Sequence, residues 1–145
     1  MSGDLALIGL TGSRLWPAPQ LLEDTLLGTW HDALQIGYTG IELMHGTAEG
    51  ADTIGGQWAD RNGILVRERP ADWNGPCGAE CQPGHRRRNR RGTEYCPLAG
   101  HRRNQQMVDE HPVLFVAASY RNSSGTADCA RRAKDAGIPV HTITA

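Results

Sequence analysis

The sequence predicts an α/β protein: a Rossmann-like, doubly wound parallel sheet of about five strands, with one small Cys-, His- and Arg-rich insertion. Three observations predict it. Short apolar runs alternate with segments of helical period along the chain, the rhythm of a parallel sheet with helices on both faces. Glycine turns close most of these runs, and the chain carries 18 glycines in 145 residues. One segment, about residues 74–98, holds three of the four cysteines and breaks the rhythm.

The elements follow in order. LALIGL (5–10) reads as a buried strand that runs into the turn TGSR (11–14). Residues 19–37 set Leu22, Leu26, Trp30 and Leu34 near helical spacing and close on a glycine. Gly28 weakens that helix without excluding it. GIELMHG (40–46) is a second strand. AEGADTIGGQWADRNG (48–63) reads as a loop and a helix, with Ala51, Ile54, Trp58 and Ala59 on one face. ILVRERP (64–70) is a third strand. Beyond the insertion, HRRNQQMVDEH (101–111) is a short helix. VLFVAAS (113–119) is apolar throughout, as a strand inside a parallel sheet should be. ADCARRAKDAG (127–137) is a helix ended by Gly137, and IPVHTI (138–143) is the last strand. Residues 1–145 thus read as a single domain, with 74–98 inserted into it.

Composition narrows the function classes. Hydrophobic residues make up 39% and charged residues 21%, a globular balance and not a disordered one. No apolar run reaches the length of a membrane span, and the first residues lack a basic n-region and cleavage site. The expectation is a cytoplasmic protein without membrane contact. The net charge is only −1, but it is unevenly spread. Residues 74–103 hold seven arginines against Glu80 and Glu94, while the remainder carries eight basic and fourteen acidic residues. That asymmetry suits a local anionic contact more than a general coat on nucleic acid.

Three loops fall at carboxyl ends of strands, where open α/β sheets bind ligands. TGSR offers Gly12, Ser13 and Arg14. HGTAEGAD (45–52) offers His45, Gly46, Glu49, Gly50, Ala51 and Asp52. SSGTAD (123–128) offers Ser124, Gly125 and Thr126. Small residues let backbone N–H groups approach a ligand, and the helices that follow favour anions at their N-termini. Arg14 adds a fork for phosphate or carboxylate. Any one of these loops alone reads more readily as a helix cap than as a ligand site. Three on one edge favour a phosphate-bearing ligand. None matches the Walker A or GxGxxG pattern.

In this order, TGSR.W, HGTAEGADTIGGQWADRNG, RPADW, AGHRRNQQMV and SSGTADCARRAKDAGIPV closely resemble the YspA-like branch of the SLOG superfamily. That superfamily includes the LOG phosphoribohydrolases and DprA-like Rossmann domains, and YspA-like forms are frequent in actinobacteria and their phages. The resemblance spans the chain except about 74–98. It implies a Rossmann-like domain that binds or processes a nucleotide-derived ligand such as ADP-ribose. Toward such a ligand Asp52 could cap or brace its loop or meet a ribose hydroxyl, and Glu49 is the other acid placed to act near the sugar. PADW (70–73) shapes its loop, although Trp73 could stack on a base. GHRRNQQM (100–107) is similar to the LOG motif that carries a catalytic arginine, which implies that role for Arg103 and a ligand contact for Asn104. NSSGTADC sets Cys129 where LOG enzymes have the glutamate that assists N-glycosidic cleavage, with Asp128 one residue early. One residue rotates a helical side chain by roughly 100°, so the departure counts against LOG-type hydrolysis. LOG dimers imply a homo-oligomer.

The insertion remains open to several readings. Reduced thiols are expected in the cytoplasm. Cys77, Cys81, His85 and Cys96, spaced C-x3-C-x3-H-x10-C, offer four ligands for structural, tetrahedral zinc, and His101 is an alternative fourth. The segment has almost nothing apolar to order it, and a metal would supply that folding energy. Cys129, away on a helix, reads as a small core residue. Arg86, Arg87, Arg88, Arg90 and Arg91 form either a solvated tip or a phosphate contact. Three functions stay in play. The first is a binder or sensor of a nucleotide-like small molecule. The second is an N-glycosidic hydrolase using Arg103 with Glu49, Asp52 or Asp128. The third, less favoured, is a nucleic-acid module led by the arginine run.

Overall fold

The structure, a computed structural model, describes residues 4–77, 81–82 and 84–145. The elements run β1 (Leu5–Gly12), α1 (Pro19–Gln35), β2 (Gly40–His45), α2 (Ala51–Arg61), β3 (Leu65–Glu68), β4 (Arg87–Arg88), β5 (Glu94–Tyr95), α3 (Ala99–Asp109), β6 (Leu114–Ser119), α4 (Ser124–Asp135) and β7 (Val140–Thr144). Five of the strands form one sheet in the order β3-β2-β1-β6-β7, and every pair in it is parallel. This is the expected Rossmann-like, doubly wound α/β fold. The chain starts in the middle of the sheet and winds outward to β3. It then crosses to the other side of β1, where β6 pairs with it from Ile8↔Leu114 to Gly12↔Ala118. The strand order reverses between β1 and β6, and a crevice opens there at the carboxyl ends.

The alternation of β1 builds a core on each face. Ala6, Ile8 and Leu10 join Leu43, Val116 and Ala118 beneath Leu22 and Leu26 of α1 and Trp58 and Ala59 of α2. Leu7 points the other way and packs with Phe115, Met107, Val108, Cys129 and Ala133, under α3 and α4. Trp30 and Trp58 meet edge to face, ring centroids 6.1 Å apart, and tie α1 to α2. The buried stripe of α1 is Leu22, Leu26, Thr29 and Ala33, whereas the expected Leu34 is 45% exposed. Leu34 lies one position past the stripe, and Ala33 lets the helix sit closer to the sheet.

The start of α4 and the insertion also differ from expectation. Helix α4 starts at Ser124 and not at 127, because Ser123 acts as its N-cap: its Oγ accepts from the Thr126 N–H at 3.4 Å. Gly125 and Thr126 therefore lie in the first helical turn. The insertion contains a short antiparallel hairpin, β4 with β5, pairing Arg87↔Tyr95 and Arg88↔Glu94. Asn89 Oδ1 closes its turn by accepting from the N–H groups of Arg91 at 2.9 Å and Thr93 at 3.0 Å. Strands of two residues leave no periodicity to read in a sequence. Among the described residues, no helix is long and apolar enough to cross a membrane.

Candidate functional site

The crevice holds a pocket of about 580 Å³. Its floor is the end of β1. The Ser13 N–H donates to the Ala118 carbonyl at 2.9 Å, and the Ser13 carbonyl accepts from the Ala51 N–H at 3.1 Å. One residue thus joins the first loop to β6 and to the start of α2. Gly50 has φ +76°, and a Cβ there would run into the Ser13 and Arg14 carbonyls. Gly50 and Ala51 accordingly stand behind the lining and hold two loops together, while Gly12, Ser13 and Arg14 line the pocket.

The second loop is braced from inside. Asp52 is only 4% exposed. Its Oδ2 accepts from the N–H groups of Gly46 at 3.0 Å and Ala48 at 3.2 Å. Its Oδ1 is buried without a hydrogen-bond partner among the described residues. Burial pushes the Asp52 carboxyl up. The charges of His45 and Arg103 and the two N–H bonds pull the other way without cancelling it. His45 is buried too, and its Nδ1 accepts from the Thr47 N–H at 2.9 Å. That bond supports Thr47 at φ +61°, a costly backbone for a β-branched residue. His45 and Gly46 shape the loop from behind the lining; Glu49 and Asp52 belong to the lining itself.

Helix α3 supplies the third side. Arg103 Nη1 donates to the Gly46 carbonyl at 2.6 Å and more loosely to the Arg69 carbonyl at 3.4 Å, and its Nε donates to Asn104 Oδ1 at 3.1 Å. Burial weakens the guanidinium's hold on its proton, with the Asp52 charge opposing that, and arginine stays cationic regardless. Asn104, itself buried, donates through Nδ2 to the Gly125 carbonyl at 3.2 Å and to Asp128 Oδ2 at 3.1 Å. Arg103 and Asn104 thus lock α3 to both the second loop and α4. Both line the pocket, together with Ser124, Gly125 and Thr126.

Asp128 stands outside that lining. Its two oxygens are taken by Asn104, Arg131 and Arg132. Burial works against its ionisation, but Arg132 and Asn104 outweigh it and hold the carboxyl below the usual range. Cys129, the residue at the LOG glutamate position, is fully buried, and burial pushes its thiol up to about 12. Trp73, the residue named to stack on a base, and His101, named only as an alternative metal ligand, also line the pocket, as does Tyr120, which was not among the candidate site residues. The Arg14 guanidinium lies over the Trp73 ring, 5.9 Å from its centroid. Tyr120 had a usable signal, because it follows a strand that the apolar pattern already marks as central.

The second cluster lies in the insertion. The ligand atoms of Cys77, Cys81, His85 and Cys96 all fall within 4.8 Å of one another and form a group that could hold a metal ion. Cys77 Sγ is 3.0 Å and Cys96 Sγ 3.4 Å from His85 Nε2, and Cys81 Sγ is 3.5 Å from Cys96 Sγ. Ligand atoms on a tetrahedral zinc ion stand about 3.5–3.8 Å apart, given bonds of about 2.0–2.3 Å, so the cluster already has nearly that size. Two arginines face the sulfurs. Arg86 Nη1 is 3.5 Å from Cys77 Sγ, and Arg102 Nη1 is 3.5 Å from both Cys81 and Cys96 Sγ. Burial resists ionisation of Cys96, yet Arg102, the Leu98 N–H and the neighbouring thiols bring it down to about 6. His101 is not in the group. Arg86 and Arg88 also pair with Glu94, so these two members of the arginine run point back into the insertion.

Two comparisons bear on this site. The family described as "YspA, cpYpsA-related SLOG family" matches residues 8–75, which span β1 through β3 and the first two loops. The chain is also 30% identical over 136 residues to the Gene 61 protein of Mycobacterium phage D29, covering 90% of each.

Proposed function

Since the chain belongs to the YspA-related SLOG family, we propose that it binds a nucleotide-derived, phosphate-bearing small molecule at the carboxyl edge of the sheet, as a binder, sensor or sequestering protein. One observation carries the reading: a pocket at the strand-order reversal lined jointly by Arg14, Arg103 and the first turn of α4. The first N–H groups of a helix have no partner inside it, and the helix dipole adds positive potential at that end. With Ser123 capping only Thr126, the start of α4 offers an anion site. Trp73 beneath Arg14 gives a flat face for a base.

Binding is favoured over a LOG-type arrangement for N-glycosidic cleavage by the state of two side chains, which leaves Glu49 and Asp52 as the acids in the lining. Cys129 is buried with its thiol raised to about 12 and supplies no base. Asp128 is consumed by two arginines and Asn104. The insertion's donor set, three cysteine sulfurs and one imidazole, is the chemistry of structural zinc. The nucleotide reading is tested by calorimetry of the zinc-loaded chain against ADP-ribose, NAD, cyclic ADP-ribose and common nucleotides, with mass spectrometry of small molecules released from the purified protein. Absence of binding across that panel overturns it. Elemental analysis tests the metal: about one zinc per chain is expected, and only a trace refutes it.

A further inference from the structure

We infer that Asp52 is the acceptor for a sugar hydroxyl of the bound ligand, so that the pocket selects ribose over its deoxy forms; this rests on the nucleotide reading above. The starting point is an unmet hydrogen bond. Asp52 lines the pocket at 4% exposure. Oδ2 is used by two backbone N–H groups, while Oδ1 is buried with no partner among the described residues. A buried acceptor left unpaired is costly. A ligand that brings a donor to it removes that cost on binding.

The chemistry of the donor follows from its surroundings. A phosphate oxygen is repelled by a carboxylate and has better partners at Arg14 and the start of α4. A cationic group gains little beside His45 and Arg103, which already act on the Asp52 charge. A base edge belongs against a flat wall, and the aromatic faces are Trp73 and Tyr120, both on different segments from Asp52. A neutral hydroxyl remains. It is small enough to reach a recessed oxygen, and the sugar of a nucleotide carries it between base and phosphate.

The brace and the acceptor are separable. In Asp52→Asn the amide oxygen still accepts from Gly46 and Ala48, while the amide NH2 replaces Oδ1 and presents a donor where a donor must arrive. The experiment is calorimetric titration of the zinc-loaded full chain with ADP, GDP, CDP and UDP and with their 2′,3′-dideoxy forms. At least one ribonucleotide is expected to bind about tenfold or more tightly than its dideoxy form. Asp52→Asn is expected to bind that pair alike, at the weaker level. Equal affinity within every pair in the unmodified chain overturns the hydroxyl acceptor and leaves a nucleotide site standing. Discrimination that survives in a folded Asp52→Asn chain overturns it as well. Failure of every one of these probes to bind overturns this inference, whereas the reading beneath it falls only if ADP-ribose, NAD and cyclic ADP-ribose fail as well.

Discussion

Arg103 donates to the carbonyl of Gly46 at 2.6 Å, across 57 residues of sequence. The contact requires glycine, because a Cβ at position 46 would collide with the guanidinium. The second loop and α3 are therefore fitted to each other, and the pocket wall between them depends on both. Gly46→Ala is expected to displace Arg103 and to weaken nucleotide binding about tenfold or more, an effect of the order of one lost charged hydrogen bond. Arg103→Lys is expected to do the same, since an ammonium lacks the fork. Calorimetry, with circular dichroism as the check on folding, measures both. Unchanged affinity in either variant would show that the contact is only a brace.

Metal removal is expected to loosen the pocket as well as the insertion. The Cys96 N–H donates to the Trp73 carbonyl at 2.8 Å, and the rings of Trp73 and Tyr95 meet edge to face at 6.1 Å. Trp73 also lies against Gly100, at the head of α3. Chelation should therefore free the segment that carries this wall and reduce nucleotide affinity without unfolding the sheet, whose two cores contain none of the four ligands. Far-ultraviolet dichroism should change little, while calorimetry should report weaker binding that zinc restores. Affinity that is indifferent to chelation would separate the insertion from the site.

The fold was legible because it is written in periodicities: β1, β2 and β6 are apolar runs, and the helices between them repeat near 3.6. Leu34 misled because a sequence window cannot tell which side of a one-residue choice faces the sheet, and packing favoured Ala33. The start of α4 was missed for a local reason, since Ser123 outcompeted later positions as cap. Site residues on the glycine loops could be named because turn chemistry marks them. What the sequence withheld was that Gly50 and Ala51 hold loops together, which N–H groups Asp52 braces, and that one of its oxygens is left unmet. Those roles depend on long-range partners such as Ser13.

Acid is expected to release the clamp between β3 and α3. Glu110 receives Arg69 Nε at 2.6 Å and Arg67 Nη1 at 3.1 Å. Hydrogen bonding to Arg69 leads the effects that hold its carboxyl below the usual glutamate value, burial opposing. A depressed folded pKa means stability that is present above the unfolded value, 4.5, and lost as pH falls through the folded one. The pair is partly exposed, so the contribution is about 1 kcal/mol or less. Glu110→Gln should lower stability near pH 7 and match the unmodified chain at low pH. Urea denaturation across pH 3–7 measures it, and an equal gap at every pH would contradict the assignment.

The four thiols should fall into two classes. Cys77 and Cys81 are partly exposed and Cys96 joins them in the cluster, whereas Cys129 is sealed beneath α4 with its thiol raised to about 12. Only the thiolate attacks an alkylating or disulfide reagent. At pH 8 a thiol with that value is almost wholly protonated, and it is also shielded from the reagent. Chelated, folded protein should therefore expose three thiols to a disulfide reagent, and the fourth only after a denaturant is added. Peptide mapping identifies the late one. Early modification of Cys129 in the folded chain would place it at the pocket surface and reopen a chemical role for it.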